Sequence, residues 1–211
     1  MIERDIAAGP RVGAVVLAAG RGQRFDAQAG KLLSVFRGQP LILAAVRAAI
    51  ESGAAPVIVV TGHRRRDLER VLEGLPVVLV ANPDYRSGLS SSIRVGLSAQ
   101  PLSVEGVVML LGDMPLVTAA HVDRLIAAFA ERNSPSICVP TFSGRRGNPV
   151  LWDRAFFPAL SSLHGDLGGS TLFGENRDAV CLVPMPDDAV LIDVDDADTL
   201  GRLDGEPLPP Q

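Results

Sequence analysis

The chain is nearly without lysine. Of its 20 lysines and arginines 19 are arginine, and Lys31 stands alone among 211 residues. Cysteine is almost as scarce, with Cys138 and Cys181 the whole complement. The two form neither a CxxC pair nor a zinc-ligand spacing, which excludes a zinc ribbon. A disulfide stays open, but a pair of reduced, buried thiols is the expectation. No apolar run reaches the ~18 residues of a membrane span. A basic excess is missing too: the net charge is −4, which argues against a nucleic-acid partner. The opening MIERDIAAGP carries acids ahead of its apolar run and a Gly-Pro within it, unlike a signal peptide, so a cytoplasmic protein is expected. His63, His121 and His164 are scattered at no triad or ligand spacing and read as surface or loop residues.

What is present suits one globular core. The hydrophobic fraction is 47%, and the length suits a single domain over 1–211, with 1–10 and 204–211 as frayed tails. Charge is segregated. Residues 1–100 hold 13 cations against 8 anions, and residues 101–211 hold 7 against 16. A site for a polyanion and a metal needs such a split, although two separate solvated surfaces would look the same.

Apolar runs alternate with helical patterns. Strands are expected at Val12–Gly20, Ala54–Gly62, Pro76–Pro83 and Gly106–Pro115, with shorter ones at Ile137–Thr141, Pro149–Trp152 and Ala189–Val194. Helices are expected at Pro40–Gly53, Arg64–Gly74, Ser90–Ala99, Thr118–Arg132 and Asp196–Leu203, with Thr118 as an N-cap. This alternation predicts an α/β domain: a mostly parallel, twisted sheet with helices on both faces. Ligands of such sheets sit beyond the carboxyl ends of the strands.

The loop after the first strand reads LAAGRGQRFDAQAGKLL. Ala18, Ala19 and Gly20 let backbone N–H groups come close to a ligand, Leu17 and Gly22 beside them are further nucleotide-binding candidates, and Arg21, Arg24 and Lys31 add three cations. It is a phosphate cradle by composition. It is neither a GxxxxGK[ST] loop nor a GxGxxG turn, because Leu32 follows Lys31 and Phe25 replaces the third glycine. After the fourth strand, Asp113 in GDMP suits a Mg²⁺ ligand, since Mg²⁺ takes one or two carboxylates plus phosphate oxygens. In RSGLSSSIRVGL, Gly88 allows a tight turn, while Ser91 and Ser92 can cap a helix or face a base edge. Asp193 and Asp195 alternate on the expected last strand and would share a face. Arg64, Arg65 and Arg66 read as a solvated helix face, and Trp152 as core or cleft wall.

LAAGRGQRF followed by KLL resembles the signature loop of the MobA-like NTP transferases, and within them the molybdenum cofactor cytidylyltransferases. The likeness implies a Rossmann-like nucleotidyltransferase fold. It implies Mg²⁺ on Asp113, helped by Asp195 and less by Asp193. Arg21 would hold the triphosphate, Arg24 the leaving pyrophosphate, and Lys31 the charge on the α-phosphate. Gly88 and Ser92 would meet the base. LAAG in place of LAGG, with the serine run, points to CTP. The acceptor would be a molybdopterin, bound by Asn148, Gly165, Asp166 and Gly168, and a molybdenum hydroxylase a possible client. Two positions depart from the pattern: Asn148 replaces a histidine and Ser170 an arginine. The resemblance implies a monomer or weak dimer with no nucleic-acid or membrane partner. A sugar- or polyol-phosphate nucleotidyltransferase, or a non-catalytic cofactor-insertion protein, are the alternatives.

Overall fold

The computed structural model of the chain describes residues 9–20, 22 and 30–205. Its core is one sheet. Strands β1 (Val12–Ala18), β4 (Val57–Thr61), β5 (Val78–Ala81) and β6 (Gly106–Leu111) form its parallel heart, in the order β6-β1-β4-β5. Beyond β6 the sheet turns mixed. β9 (Val150–Asp153) is antiparallel to both β6 and β7 (Ile137–Phe142), and β10 (Val180–Pro184) closes that edge parallel to β7. The short β8 (Arg145–Arg146) folds back on β7. A separate two-stranded ribbon joins β2 (Val35–Phe36) to β3 (Gln39–Pro40). The expected mostly parallel α/β sheet is therefore observed.

Strands β1, β4 and β6 are covered on both faces, so they are apolar apart from Thr61 at the end of β4, while β5 at the sheet edge is only partly buried. In β1 every residue is buried. Ala14, Val16 and Ala18 pack with α1 (Ile42–Ile50), α2 (Arg65–Val71) and α4 (Ala119–Ala130). Val15 and Leu17 pack the opposite way, with α3 (Leu89–Ser98) and α5 (Phe157–Ser161). A third, smaller cluster seats Leu200 and Leu203 of α6 (Ala197–Asp204) against Phe36 and Leu41. Among the described residues no helix is long and apolar enough to cross a membrane.

Three expectations are corrected. Ala189–Val194 is not a strand: Asp188–Leu191 is a 3-10 turn, and the chain to Asp195 runs without a ladder partner. Its backbone groups bond to loops instead. The Val190 carbonyl accepts from Asn148 N–H at 2.9 Å, and Val194 N–H donates to the Asp113 carbonyl at 2.9 Å. His121 is not a surface residue but 3% exposed. Its Nδ1 accepts from the Thr118 N–H at 3.1 Å, which places the ring proton on Nε2, 3.1 Å from Asp187 Oδ1. The C-terminal tail starts later than expected, since Asp204 still belongs to α6.

Candidate active site

The carboxyl ends of β1, β4, β5 and β6 share one edge of the sheet, and the loops there enclose a chamber of about 360 Å³. Leu17, Ala19, Gly20 and Gly22 form one wall. Tyr85, Arg86, Gly88 and Ser92 form the other, and Asp113 and Asp166 also reach it. Ala18 does not line it: its side chain is fully buried in the core beneath α1. Arg21 and Arg24 lie outside the described residues.

Lys31 returns from the loop to the metal-suited carboxylates. Its ammonium sits 2.6 Å from Asp113 Oδ2 and 2.9 Å from Asp195 Oδ1. Two backbone features make this meeting. Asp113 leaves β6 at the sheet edge, and the bond from Val194 N–H to the Asp113 carbonyl draws the following Asp195 alongside. Asp195 thus reaches the site by a loop contact and not by strand alternation. Burial works against the Lys31 charge, but attraction and hydrogen bonds from Asp113 and Asp195 outweigh it and hold its pKa above the ordinary 10.5. Burial, followed by repulsion from Asp195 and Asp113, lifts the Asp193 carboxyl above its usual range. Among the described residues no three acidic, histidine or cysteine side chains make a ready metal cage.

The serine run divides its duties. Asn82, 2% exposed at the end of β5, donates from Nδ2 to Ser91 Oγ at 2.8 Å and to Ser92 Oγ at 3.0 Å. Ser91 also donates to the Gly88 carbonyl at 2.8 Å, so it faces inward and is not on the chamber wall. Ser92 is on the wall. Gly88 has φ 109°, and a Cβ there would collide with the backbone of Gly165. Ser90 fastens the same contact, its N–H at 3.1 Å and its hydroxyl at 2.8 Å from the Gly165 carbonyl. This pinned loop carries Asp166 into the first chamber. Of the expected acceptor group, Asp166 therefore lines the first chamber, and Gly165 lies against Gly88 beside it.

Asn148 and Gly168 of that group line a second chamber. A cavity of about 240 Å³ opens beside the first and shares Leu17, Leu89 and Leu111 with it. Its wall is Met109, Ile93, Val150, Trp152 and Phe173, and its polar rim is Arg146, Asn148 and Ser170. Gly168 lies there too. Trp152 and Phe173 stack at 5.7 Å between centroids, and the Arg146 guanidinium covers Phe173 at 5.6 Å. Gly147 is required where it stands, because a Cβ would meet the Val190 carbonyl. Sequence reasoning left out Asn82, Tyr85 and Arg86. Their common signal was position: all three follow a parallel strand, β5, at the ligand edge.

The comparisons with known proteins agree with this geometry. Nicotine blue oxidoreductase of Paenarthrobacter nicotinovorans is 28% identical over 205 residues, covering 92% of this chain and 97% of that one. The bifunctional protein GlmU of Clavibacter sepedonicus is 33% identical over 142 residues, 66% of this chain but only 29% of that protein's length. Among solved structures, Rv0371c from Mycobacterium tuberculosis H37Rv superposes with a TM-score of 0.79 at 29% identity, covering 94% of this chain and 100% of that one. Rv0371c has also been solved in complex with manganese, with a TM-score of 0.76 at 27% identity, covering 92% and 97%. The model of the MobA-like NTP transferase domain matches residues 14–180, a span that holds both chambers and Asp113 and leaves Asp195 beyond it. With its phosphate-type loop, its edge carboxylate and that match, the chain belongs to the MobA-like NTP transferase family.

Proposed function

We propose that the chain is a metal-dependent nucleotidyltransferase that joins an NTP, CTP by preference, to a phosphate-bearing molybdopterin acceptor and releases pyrophosphate. One observation carries the reading: the Lys31 ammonium meets both Asp113 and Asp195, and Asp113 lines the first chamber together with Ala19, Gly20 and Gly22. The carboxylates suit a hard divalent cation such as Mg²⁺. Asp113 Oδ1 is a buried anionic oxygen without a hydrogen-bond partner among the described residues, and a cation satisfies such an atom. Two carboxylates are enough, because Mg²⁺ completes its shell with phosphate oxygens and water. When bound, the metal supplies Lewis-acid charge neutralisation at the phosphates.

The chain's own residues then have defined tasks. Backbone amides near Ala19 and Gly20 hold phosphate oxygens. Lys31 meets the charge that develops on the α-phosphate as the acceptor phosphate attacks and pyrophosphate leaves. Ser92, held by Asn82, and Asp166 face the base end. A carboxylate and a hydroxyl together can accept from an exocyclic amine and donate to a ring acceptor, the pattern cytosine offers. No protein nucleophile is needed, since alignment and electrostatics carry phosphoryl-type transfer.

The second chamber supports the acceptor reading. A polyol needs hydrogen-bond partners around it, and this wall is largely apolar and aromatic, which suits a planar ring system better. The likeness to GlmU keeps a sugar-phosphate acceptor as the second reading. Pyrophosphate release with CTP, GTP and ATP, each with molybdopterin or a sugar phosphate, tests both. Turnover is expected with CTP and molybdopterin. Turnover with a sugar phosphate alone reverses the acceptor, and release with no pair removes the enzyme reading.

A further inference from the structure

Arg64 opens a run of three arginines, but its surroundings differ from those of the other two. Arg65 pairs with Glu69 along the outer face of α2. Arg64 turns back toward the phosphate-type loop. Its backbone is left-handed, at φ 53° and ψ 32°, a conformation that a non-glycine residue adopts only at a cost. The segment before it is docked on the end of β1. His63 N–H donates to the Ala19 carbonyl at 3.2 Å, and a Cβ on Gly62 would lie 2.8 Å from that of Ala19. The side chain then crosses the limb that leads into Lys31. Its Cδ lies 2.9 Å, and its Nη1 3.3 Å, from where a Cβ on Gly30 would be. Gly20, Gly30, Lys31, His63 and Arg64 line one small recess behind the loop. The Arg64 Nε donates to Asp67 Oδ2 at 2.9 Å, which fixes the plane of the guanidinium.

We infer that Arg64 is a further phosphate-binding residue, one that takes the β- and γ-phosphoryl end of the triphosphate. A strained arginine in place of a glycine needs a reason in its side chain. An oriented, planar fork beside Gly20 and Lys31 supplies one, because guanidinium matches phosphate oxygens two at a time. The assignment rests on the nucleotidyltransferase reading of the site. It adds a cation from the loop after β4, which the motif in the loop after β1 does not contain.

Calorimetric titration of the full chain with inorganic tripolyphosphate, with CTP and with CMP, all with Mn²⁺ present, tests it. Arg64→Gly removes both the side chain and the strain, so its melting temperature is expected at or above that of the parent. Its affinity for tripolyphosphate and CTP is expected to fall about tenfold or more, the scale of a lost charge-assisted bond, while CMP holds within about twofold. Arg64→Gln keeps the stem across Gly30 without the charge, and the same split is expected should the glycine variant fold poorly. Unchanged tripolyphosphate affinity in both variants, or an equal loss for CMP, overturns the assignment and leaves the site reading standing. A parent protein that binds neither CTP nor tripolyphosphate removes both.

Discussion

The Lys31 ammonium lies 2.6 Å from Asp113 Oδ2 and 2.9 Å from Asp195 Oδ1, so the chain's one lysine fills the point between the carboxylates that suit a metal. Two cations cannot share that point. A divalent ion entering alone must push the ammonium aside, whereas a triphosphate offers the ammonium a new anionic partner. Lys31→Met is therefore expected to bind free Mn²⁺ about tenfold or more tightly than the parent without nucleotide, since a competing charge of the same sign is gone. Titration calorimetry, or the loss of the free-Mn²⁺ resonance signal, reads this directly. Unchanged or weaker binding removes the exchange. Lys31→Arg keeps the charge but is too bulky and planar for the same point, and most of the turnover is expected to be lost.

Asn82 is the buried link between the fold and the base end. Its Nδ2 bonds both Ser91 and Ser92, and its Oδ1 accepts from Asp84 N–H at 3.0 Å. Asn82→Asp replaces a buried donor with an acceptor next to two hydroxyls. A loss of roughly 1–3 kcal/mol in urea unfolding is expected. A rise in KM for the nucleotide at near-constant KM for the acceptor should accompany it. If both KM values move together, the clamp has no special tie to the base.

Gly88 separates two meanings of a glycine in a ligand loop. The sequence alone suggests room for a base, and the structure adds a second demand: φ of 109° and the Gly165 backbone pressed against it. Gly88→Ala should therefore cost stability with no ligand present, by roughly 1–3 kcal/mol, from strain and overpacking together. Equilibrium unfolding of the ligand-free protein checks this. A variant of parental stability with weakened nucleotide binding would assign Gly88 to the ligand alone.

The central sheet was readable because β1, β4 and β6 are covered on both sides and run as nearly unbroken apolar stretches, and β5 beside them is apolar throughout although it is an edge strand. The other edge elements do not carry that signature. β10 leaves Leu182 52% exposed, and its short VCLVP run passes for irregular chain. Ala189–Val194 misleads in the other direction, since it is apolar enough for a strand but lends its carbonyl and N–H groups to Asn148 and Asp113. Asp113 and Lys31 were legible from their loops. Their meeting with Asp195 was not, because that residue lies 164 positions from Lys31 and arrives through the backbone bond from Val194 to Asp113. Arg64 was hidden by its own neighbours, as two solvated arginines make the third look ordinary. His121 was hidden because a histidine, not the usual Glu or Gln, completes the box begun by Thr118.

Cys138 and Cys181 are register partners on β7 and β10, yet only Cys138 is fully buried. Burial pushes the Cys138 thiol up from an ordinary 9.0 to about 12, and the neighbouring Cys181 adds to the rise. Two outcomes follow. At pH 8 iodoacetamide should label Cys181 in the folded protein and reach Cys138 only on unfolding, as peptide mass analysis would show. Stability should depend on pH with a definite sign. Below pH 9 the thiol is neutral in both folded and unfolded chains, and the contribution is whole. Between pH 9 and about 12 the unfolded chain ionises first, so stability is lost as pH rises. Lys31, whose pKa is raised above 10.5, begins to lose its pairing above that pH, so the parent is compared with Cys138→Ala and the series stops at pH 10.5. The gap between their urea midpoints, measured under reducing conditions, should close from pH 8 to pH 10.5. A constant gap would mean that the Cys138 thiol ionises alike in both states.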